Sequence, residues 1–161
     1  MENAAGLPYR LRLRLPGYSY QEAASYFVTI CSHNRECIFG WCEGREFFSS
    51  WIGAIVRDQW LRTPDLRPGV ILDEYQVMPN HFHAAFHVVE TGHRFRSIVG
   101  GFKSAVTSIV RARLGNPRYE VWQRGSYDSV IRSERQLQKI RRYIRENPAR
   151  WDEDPENPAI R

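Results

Sequence analysis

Residues 70–89 read VILDEYQVMPNHFHAAFHVV. Two runs rich in apolar and aromatic residues flank Pro79 and Asn80, a pair that belongs in turns, so the stretch reads as an antiparallel hairpin. In the second run Phe82, Ala84, Phe86 and Val88 share one face, and His81, His83 and His87 share the other, because side chains alternate along a strand. At about 3.3 Å per residue, the Cα atoms of His81 and His83 lie roughly 6.5 Å apart, close enough for two imidazoles to meet at one divalent ion. His87 lies roughly 13 Å further along by the same rise, too far to share it. Such a pair also occurs as hydrogen-bonded histidines at a sheet edge. A site needs a third ligand and a reacting group.

Outward from this hairpin the chain alternates element types. AASYFVTICSH (23–33) is rich in β-branched and aromatic residues and reads as a central strand, and NRECIFGWCEG as a loop or short hairpin. From Arg45 to Arg62, Phe48, Trp51, Ile52, Ile55, Val56 and Trp60 recur at helical spacing, and TPDLRPG ends that helix. After the hairpin, RSIVGGFKSAVTSIVRARLG predicts a second helix stopped by Gly115, with Gly100 and Gly101 weakening its first turns. YEVWQRG predicts a short strand. Ser133 with Gln136 three residues later is a capping-box pattern, opening a third helix that runs to about Asn147, before Pro148. The order predicts an α+β fold in which helices pack on a mainly antiparallel sheet.

The 161 residues are one domain's worth, with the domain expected over 1–151. The acidic, proline-containing residues 152–161 are expected to form a loosely held tail. Near the start, Arg10, Arg12 and Arg14 alternate with leucines as an arm or edge strand with one basic face. No run approaches the length of a membrane span, and residues 1–17 lack the apolar centre of a secretory signal, so the expected location is cytoplasmic. Cys31, Cys37 and Cys42, an odd set without a C-x-x-C pair, are expected to stay reduced. The net charge is +5, and of 23 basic residues only Lys103 and Lys139 are lysines. Arginine suits phosphate recognition through its planar fork, although a GC-rich genome also enriches it.

On the third helix Leu137, Ile140 and Ile144 form an apolar stripe about 60° wide at about 100° per residue. Tyr143 and Asn147 lie on one flank of it, one turn apart. An Asn carbonyl is an acceptable ligand for a hard cation, and a tyrosine hydroxyl beside it is a candidate nucleophile. Spacing alone suits an ordinary tyrosine at the core boundary equally well.

YQVMPNHFHAAFHV (75–88), GGFKSAV (100–106), VWQRGSYDSVIR (121–132) and YIRENP (143–148) occur in that order. Together, over roughly residues 8–151, the chain resembles the single-tyrosine transposases of insertion sequences, closest to those associated with repetitive extragenic palindromes. The specific elements are the His-hydrophobic-His strand, the HUH motif, and the later Tyr-Ile-x-x-Asn-Pro. The resemblance implies a central antiparallel sheet of ferredoxin-like, HUH type. It implies that His81, His83 and Asn147 hold Mg²⁺ or Mn²⁺ and that Tyr143 is the nucleophile. It further implies a homodimer acting on single-stranded or hairpin DNA through a 5′-phosphotyrosine link, the chemistry of DNA transposition. The neighbouring Arg141, Arg142 and Arg145 are expected to favour the phenolate. DNA contacts are expected from Arg10, Arg12, Arg14, Lys103 and Arg124, with Tyr9, Tyr18 or Tyr20 stacking on unpaired bases. In the SYDSVIR loop Ser126 and Ser129 stand where relatives often carry bulkier residues, which bears on DNA contacts and not on the chemistry. The alternatives are a relaxase or replication-initiator type of nickase, and a non-catalytic module that binds nucleic-acid hairpins.

Overall fold

The hairpin at residues 70–89 forms as expected: β4 (Val70–Val77) and β5 (His81–Val88) pair antiparallel across the Pro79–Asn80 turn. The computed structural model describes residues 24–89 and 94–160, so Arg10, Arg12, Arg14, Tyr9, Tyr18 and Tyr20 lie outside the described residues. Strand β1 (Ala24–Cys31) joins the other side of β5, and β6 (Tyr127–Ile131) the other side of β1. The sheet order is β4-β5-β1-β6, antiparallel at every step.

All eight residues of β5 are buried, so both its faces are covered. On one face Phe82, Ala84, Phe86 and Val88 pack with α1 (Trp51–Leu61) and α3 (Phe95–Leu114). Trp60 of α1 is the keystone there, with ring centroids 5.3 Å from Phe82, 5.5 Å from Phe86 and 5.2 Å from Phe102. On the other face a smaller cluster of Ala85, Ile131, Leu137 and Ile144 seats α4 (Glu134–Glu146). The fold is thus α+β, a four-stranded antiparallel sheet with helices on it.

The boundaries expected from sequence shift in three places. The helix expected from Arg45 starts at Trp51, because residues Gly40–Glu43 and Glu46–Ser49 form a separate hairpin (β2 and β3). Phe48 satisfies both a helical and a strand period; here it stacks on Trp41 across that hairpin, and Ser50 starts the helix by accepting from the Gly53 amide at 3.1 Å. The expected strand YEVWQRG is reduced to one bridge, Ser32 with Trp122, and the edge strand is instead β6, in the stretch read as a loop. Four of its five residues are exposed, so the apolar alternation that announces a half-buried strand is missing and only backbone pairing to β1 defines it. Helix α3 runs through the glycine pair, and a side chain at Gly101 would meet the Arg67 guanidinium at 2.4 Å.

The expected helix ends hold. Gly115 closes α3 at φ 61°, a conformation glycine adopts without strain. Ser133 caps α4 by accepting from the Gln136 amide at 3.1 Å, and Gln136 Oε1 accepts from the Arg132 amide at 2.9 Å, one residue earlier than a standard box.

The segment after α4 differs from a loosely held tail. Trp151, Asp154 and Asn157 are buried, and two 3-10 turns cover Pro148–Glu153 and Pro158–Ile160. Polar side chains satisfy its backbone: Asp154 accepts from the Glu156 amide at 2.8 Å and Asn157 from the Ala159 amide at 3.0 Å. Arg35 pairs with Glu156 at 3.1 Å, tying the segment to the loop after β1. Such anchoring carries no apolar period, so patterning does not reveal it. Among the described residues no helix is long and apolar enough to cross a membrane, and the three cysteines are free thiols.

Candidate active site

His81 and His83 project from the α4 face of β5, only 1% and 3% exposed, with ring centroids 4.5 Å apart. Their orientation comes from partners behind them. Asn80 donates its amide hydrogens to the carbonyls of Arg35 at 3.0 Å and Glu156 at 2.8 Å, which leaves its Oδ1 facing His81 Nδ1 at 2.9 Å. An acceptor there requires a proton on Nδ1, so in the neutral ring the lone pair is on Nε2, aimed at α4. Thr29 Oγ1 lies 2.8 Å from His83 Nδ1, and Phe27 stacks on the same ring at 5.6 Å. His83 Nε2 is buried and, among the described residues, has no hydrogen-bond partner. A buried nitrogen in that state calls for an explanation.

Helix α4 brings the other two residues. The Tyr143 ring centroid lies 5.2 Å from that of His83, and the side chain is 47% exposed, open to a substrate. Asn147 is buried and its Oδ1 lies 3.4 Å from His81 Nε2. It keeps helical backbone, φ −57° and ψ −45°, although Pro148 follows and opens the next 3-10 turn. All four side chains meet within the one chain described.

The lone pairs of His81 Nε2 and the Asn147 oxygen therefore converge, with the orphaned His83 Nε2 beside them. Two imidazole nitrogens and one amide oxygen are a donor set that a divalent cation would accept, Mn²⁺ more readily than the oxygen-preferring Mg²⁺. Among the described residues no three His, Cys, Asp or Glu side chains form a metal cluster, so an ion here would have to rest on two imidazoles and an amide. Burial lowers the pKa of His81, against the opposing pull of Asp154 and Asn147. Burial, reinforced by His81, holds His83 well below 6.5. Both rings are thereby kept in the neutral form a ligand needs.

Asp154 is the residue that the sequence reading missed. Its Oδ2 lies 3.7 Å from His81 Nε2, delivered by the packed segment after α4. Its only sequence signal is an acid in a polar run, which most solvated tails also show.

Of the three arginines expected to favour the phenolate, Arg142 is exposed and the other two are engaged elsewhere. Arg141 turns away to grip Asp73 and Arg145 bonds Glu74 at 2.9 Å, so both charges are neutralised locally. Burial, with the charges of Asp154 and Glu156, raises the Tyr143 pKa above 10, against a hydrogen bond from Asn147 that lowers it. The carboxyl of Asp73 is itself held far below 3.8: hydrogen bonds from His87 and Arg141 and the Arg141 charge outweigh desolvation, which alone would raise it. A depressed carboxyl contributes stability that is present above its unfolded pKa, about 3.9, and is lost as pH falls through the folded value. The resistance of the wild type to urea should therefore fall steadily as pH drops from about 5 through about 3 and below. Asp73→Asn should start less stable and lose less over that window.

Lys103 and Arg124 line one open groove of about 690 Å³, shared with His33, Ser104, Thr107 and Arg111. Lys103 Nζ donates to the carbonyls of Gln123 at 3.0 Å and Gly125 at 2.9 Å, so it braces the loop that carries Arg124. Burial lowers the Lys103 pKa.

The sequence profile of the IS200-like transposases matches residues 27–147. An uncharacterised protein of Haemophilus influenzae is 33% identical over 171 residues, spanning 93% of this chain and 94% of that one. Among solved structures, the fold is similar to that of a REP-associated tyrosine transposase bound to a REP hairpin, at 17% identity and TM-score 0.63 over 86% of this chain and 74% of that one. A candidate transposase from Deinococcus radiodurans R1 is similar at 19% identity and TM-score 0.53, over 82% of this chain and 95% of that one.

Proposed function

The chain belongs to the IS200-like transposase family, and on that premise we propose that it cuts and rejoins single-stranded DNA at hairpin or palindromic elements through a covalent link to Tyr143. The observation that carries this reading is the Tyr143 ring 5.2 Å from His83, on the helix whose Asn147 oxygen faces His81 at 3.4 Å. A phenol, two ligand imidazoles and an amide at such range form a phosphoryl-transfer site.

In this reading Tyr143 Oη attacks the scissile phosphorus and the P–O3′ bond breaks, leaving a 5′-phosphotyrosine and a free 3′-hydroxyl. The link keeps the energy of a phosphodiester, so a second 3′-hydroxyl reverses the step and joins strands without ATP. Asn147 serves both parts of the site. With its oxygen toward His81, its amide hydrogens are left for the Tyr143 oxygen, and a donor there favours the phenolate. A divalent ion held by His81, His83 and Asn147 supplies charge neutralisation at the phosphate. Lys103 and Arg124, with the arm residues Arg10, Arg12 and Arg14, are the proposed phosphate contacts.

The test is a labelled single-stranded hairpin incubated with protein in Mg²⁺, Mn²⁺ or chelator and run on a denaturing gel. A covalent adduct with either metal supports the reading. Full adduct in chelator contradicts the metal role, and tight binding with no adduct identifies a non-catalytic binder. Metal binding is checked apart from activity. Titration of Mn²⁺ followed by the resonance of the free ion should show His81→Ala and His83→Ala weakened by more than the ~10–100-fold that losing an outer partner of a ligand costs.

A further inference from the structure

We propose that the β-bulge of β4 is a positioning device for the nucleophile: two consecutive carboxylates, Asp73 and Glu74, set the roll of α4 on the sheet and thereby place Tyr143 over His83. The inference rests on the reading of Tyr143 as the nucleophile. Between the paired residues Leu72–Phe86 and Tyr75–Ala84, β4 advances three residues while β5 advances two. In a regular strand Asp73 and Glu74 would point to opposite faces. The extra residue leaves both toward α4, where Arg141 and Arg145 stand one turn apart.

The contacts are specific. Asp73 accepts from Arg141 Nε at 2.6 Å and Nη2 at 2.5 Å, from His87 Nε2 at 2.8 Å and from the Glu74 amide at 2.8 Å. Glu74 takes Arg145 at 2.9 Å. Because the carboxylate accepts, His87 Nε2 carries a proton, and in the neutral ring Nδ1 accepts from Ser25 Oγ at 2.7 Å. This serine–histidine–aspartate series is a strut and not a hydrolytic triad: Ser25, His87 and Asp73 are all buried, and Arg141 already holds the carboxylate. It fastens α4 to β4, β5 and β1 together.

Helix geometry explains why such a fastening matters. At about 100° per residue, Arg141 and Arg145 lie on one flank of the Leu137–Ile144 stripe, and Tyr143 and Asn147 on the other. Apolar packing is non-directional, so a narrow stripe leaves a helix free to roll; a bidentate fork at one flank does not. With side chains about 5–6 Å from the axis, a roll of about 20° displaces the far flank by roughly 2 Å. Displacements of about 1 Å can cost on the order of 100-fold in rate.

The experiment is single-turnover adduct formation on hairpin DNA with saturating protein and Mn²⁺, for wild type, Asp73→Asn, Arg141→Lys and Glu74→Gln. The rate constant should fall about 10–100-fold in the first two variants and about threefold or more in the third. DNA affinity should stay within about twofold of wild type, whereas Mn²⁺ affinity should fall together with the rate constant, because Asn147 shares the flank of Tyr143 and moves with it. A bulge that serves folding alone would lower the amplitude, which counts folded molecules, and leave the rate constant unchanged; that result overturns the inference. Glu74→Gln keeps the test decisive if Asp73→Asn does not fold, because the Glu74–Arg145 pair lies near the surface. A wild type that forms no adduct overturns the functional reading itself. An active wild type with unaltered variant rates overturns only the positioning role.

Discussion

Tyr143→Phe should form no covalent DNA adduct while binding hairpin DNA within about twofold of wild type. The substitution removes one oxygen and leaves the ring, so the edge contacts to Phe27 at 6.1 Å and His83 at 5.2 Å survive and α4 keeps its seat. Binding draws on phosphate contacts elsewhere and is indifferent to that oxygen. Covalent chemistry is not, because the attacking atom is gone. The loss should exceed about 1,000-fold, equivalent to about 4 kcal/mol of barrier. Gel shift measures the binding and a denaturing gel the adduct; an undiminished adduct would assign the attack to another residue. The raised pKa of Tyr143 sharpens the wild-type comparison. At neutral pH the phenol is protonated, so the reaction depends on whatever stabilises the phenolate when DNA and ion are bound.

Trp60→Ala should cost about 3–5 kcal/mol of folding stability. That is a large share of the roughly 5–15 kcal/mol available to a domain of this size. The indole is fully buried and meets Phe82 and Phe86, which point from the back of the strand that bears His81 and His83. Emptying that volume loosens the support of the site as well as the core. The midpoint of urea unfolding reads the effect, and an unchanged midpoint would mean that the cluster is not the centre of the fold. Trp60→Phe should cost less. Among the described residues Trp60 Nε1 has no hydrogen-bond partner, so phenylalanine forfeits volume but no polar contact.

Legibility followed the strength of local signals. The β4–β5 hairpin was readable because its two apolar runs flank a turn pair, and α4 because its cap, stripe and following proline agree. Helix α3 and its Gly115 stop were readable for the same reason. Strand β6 was not, since an exposed edge strand need not alternate. Phe48 misled because one aromatic fits two periods. Asp154 and the packed segment around it were hidden, because hydrogen-bonded turns leave no hydrophobic imprint. Arg141 was visible only as a charge near Tyr143, and its pairing with Asp73 engages that charge elsewhere, while burial, Asp154 and Glu156 raise the Tyr143 pKa.

By itself the sequence determined the helices and central strands, which histidines share a face, and that Tyr143 and Asn147 share a flank. These follow from periods of 2 and 3.6 residues, which are properties of a few consecutive backbone units. Only the tertiary structure decided that the tyrosine reaches the histidines within one chain, that a single extra residue in β4 turns two acids onto one helix, and that a carboxylate from beyond α4 approaches His81. Each of those facts depends on groups far apart in the chain, and their meeting is settled by packing and buried hydrogen bonds that no local period encodes.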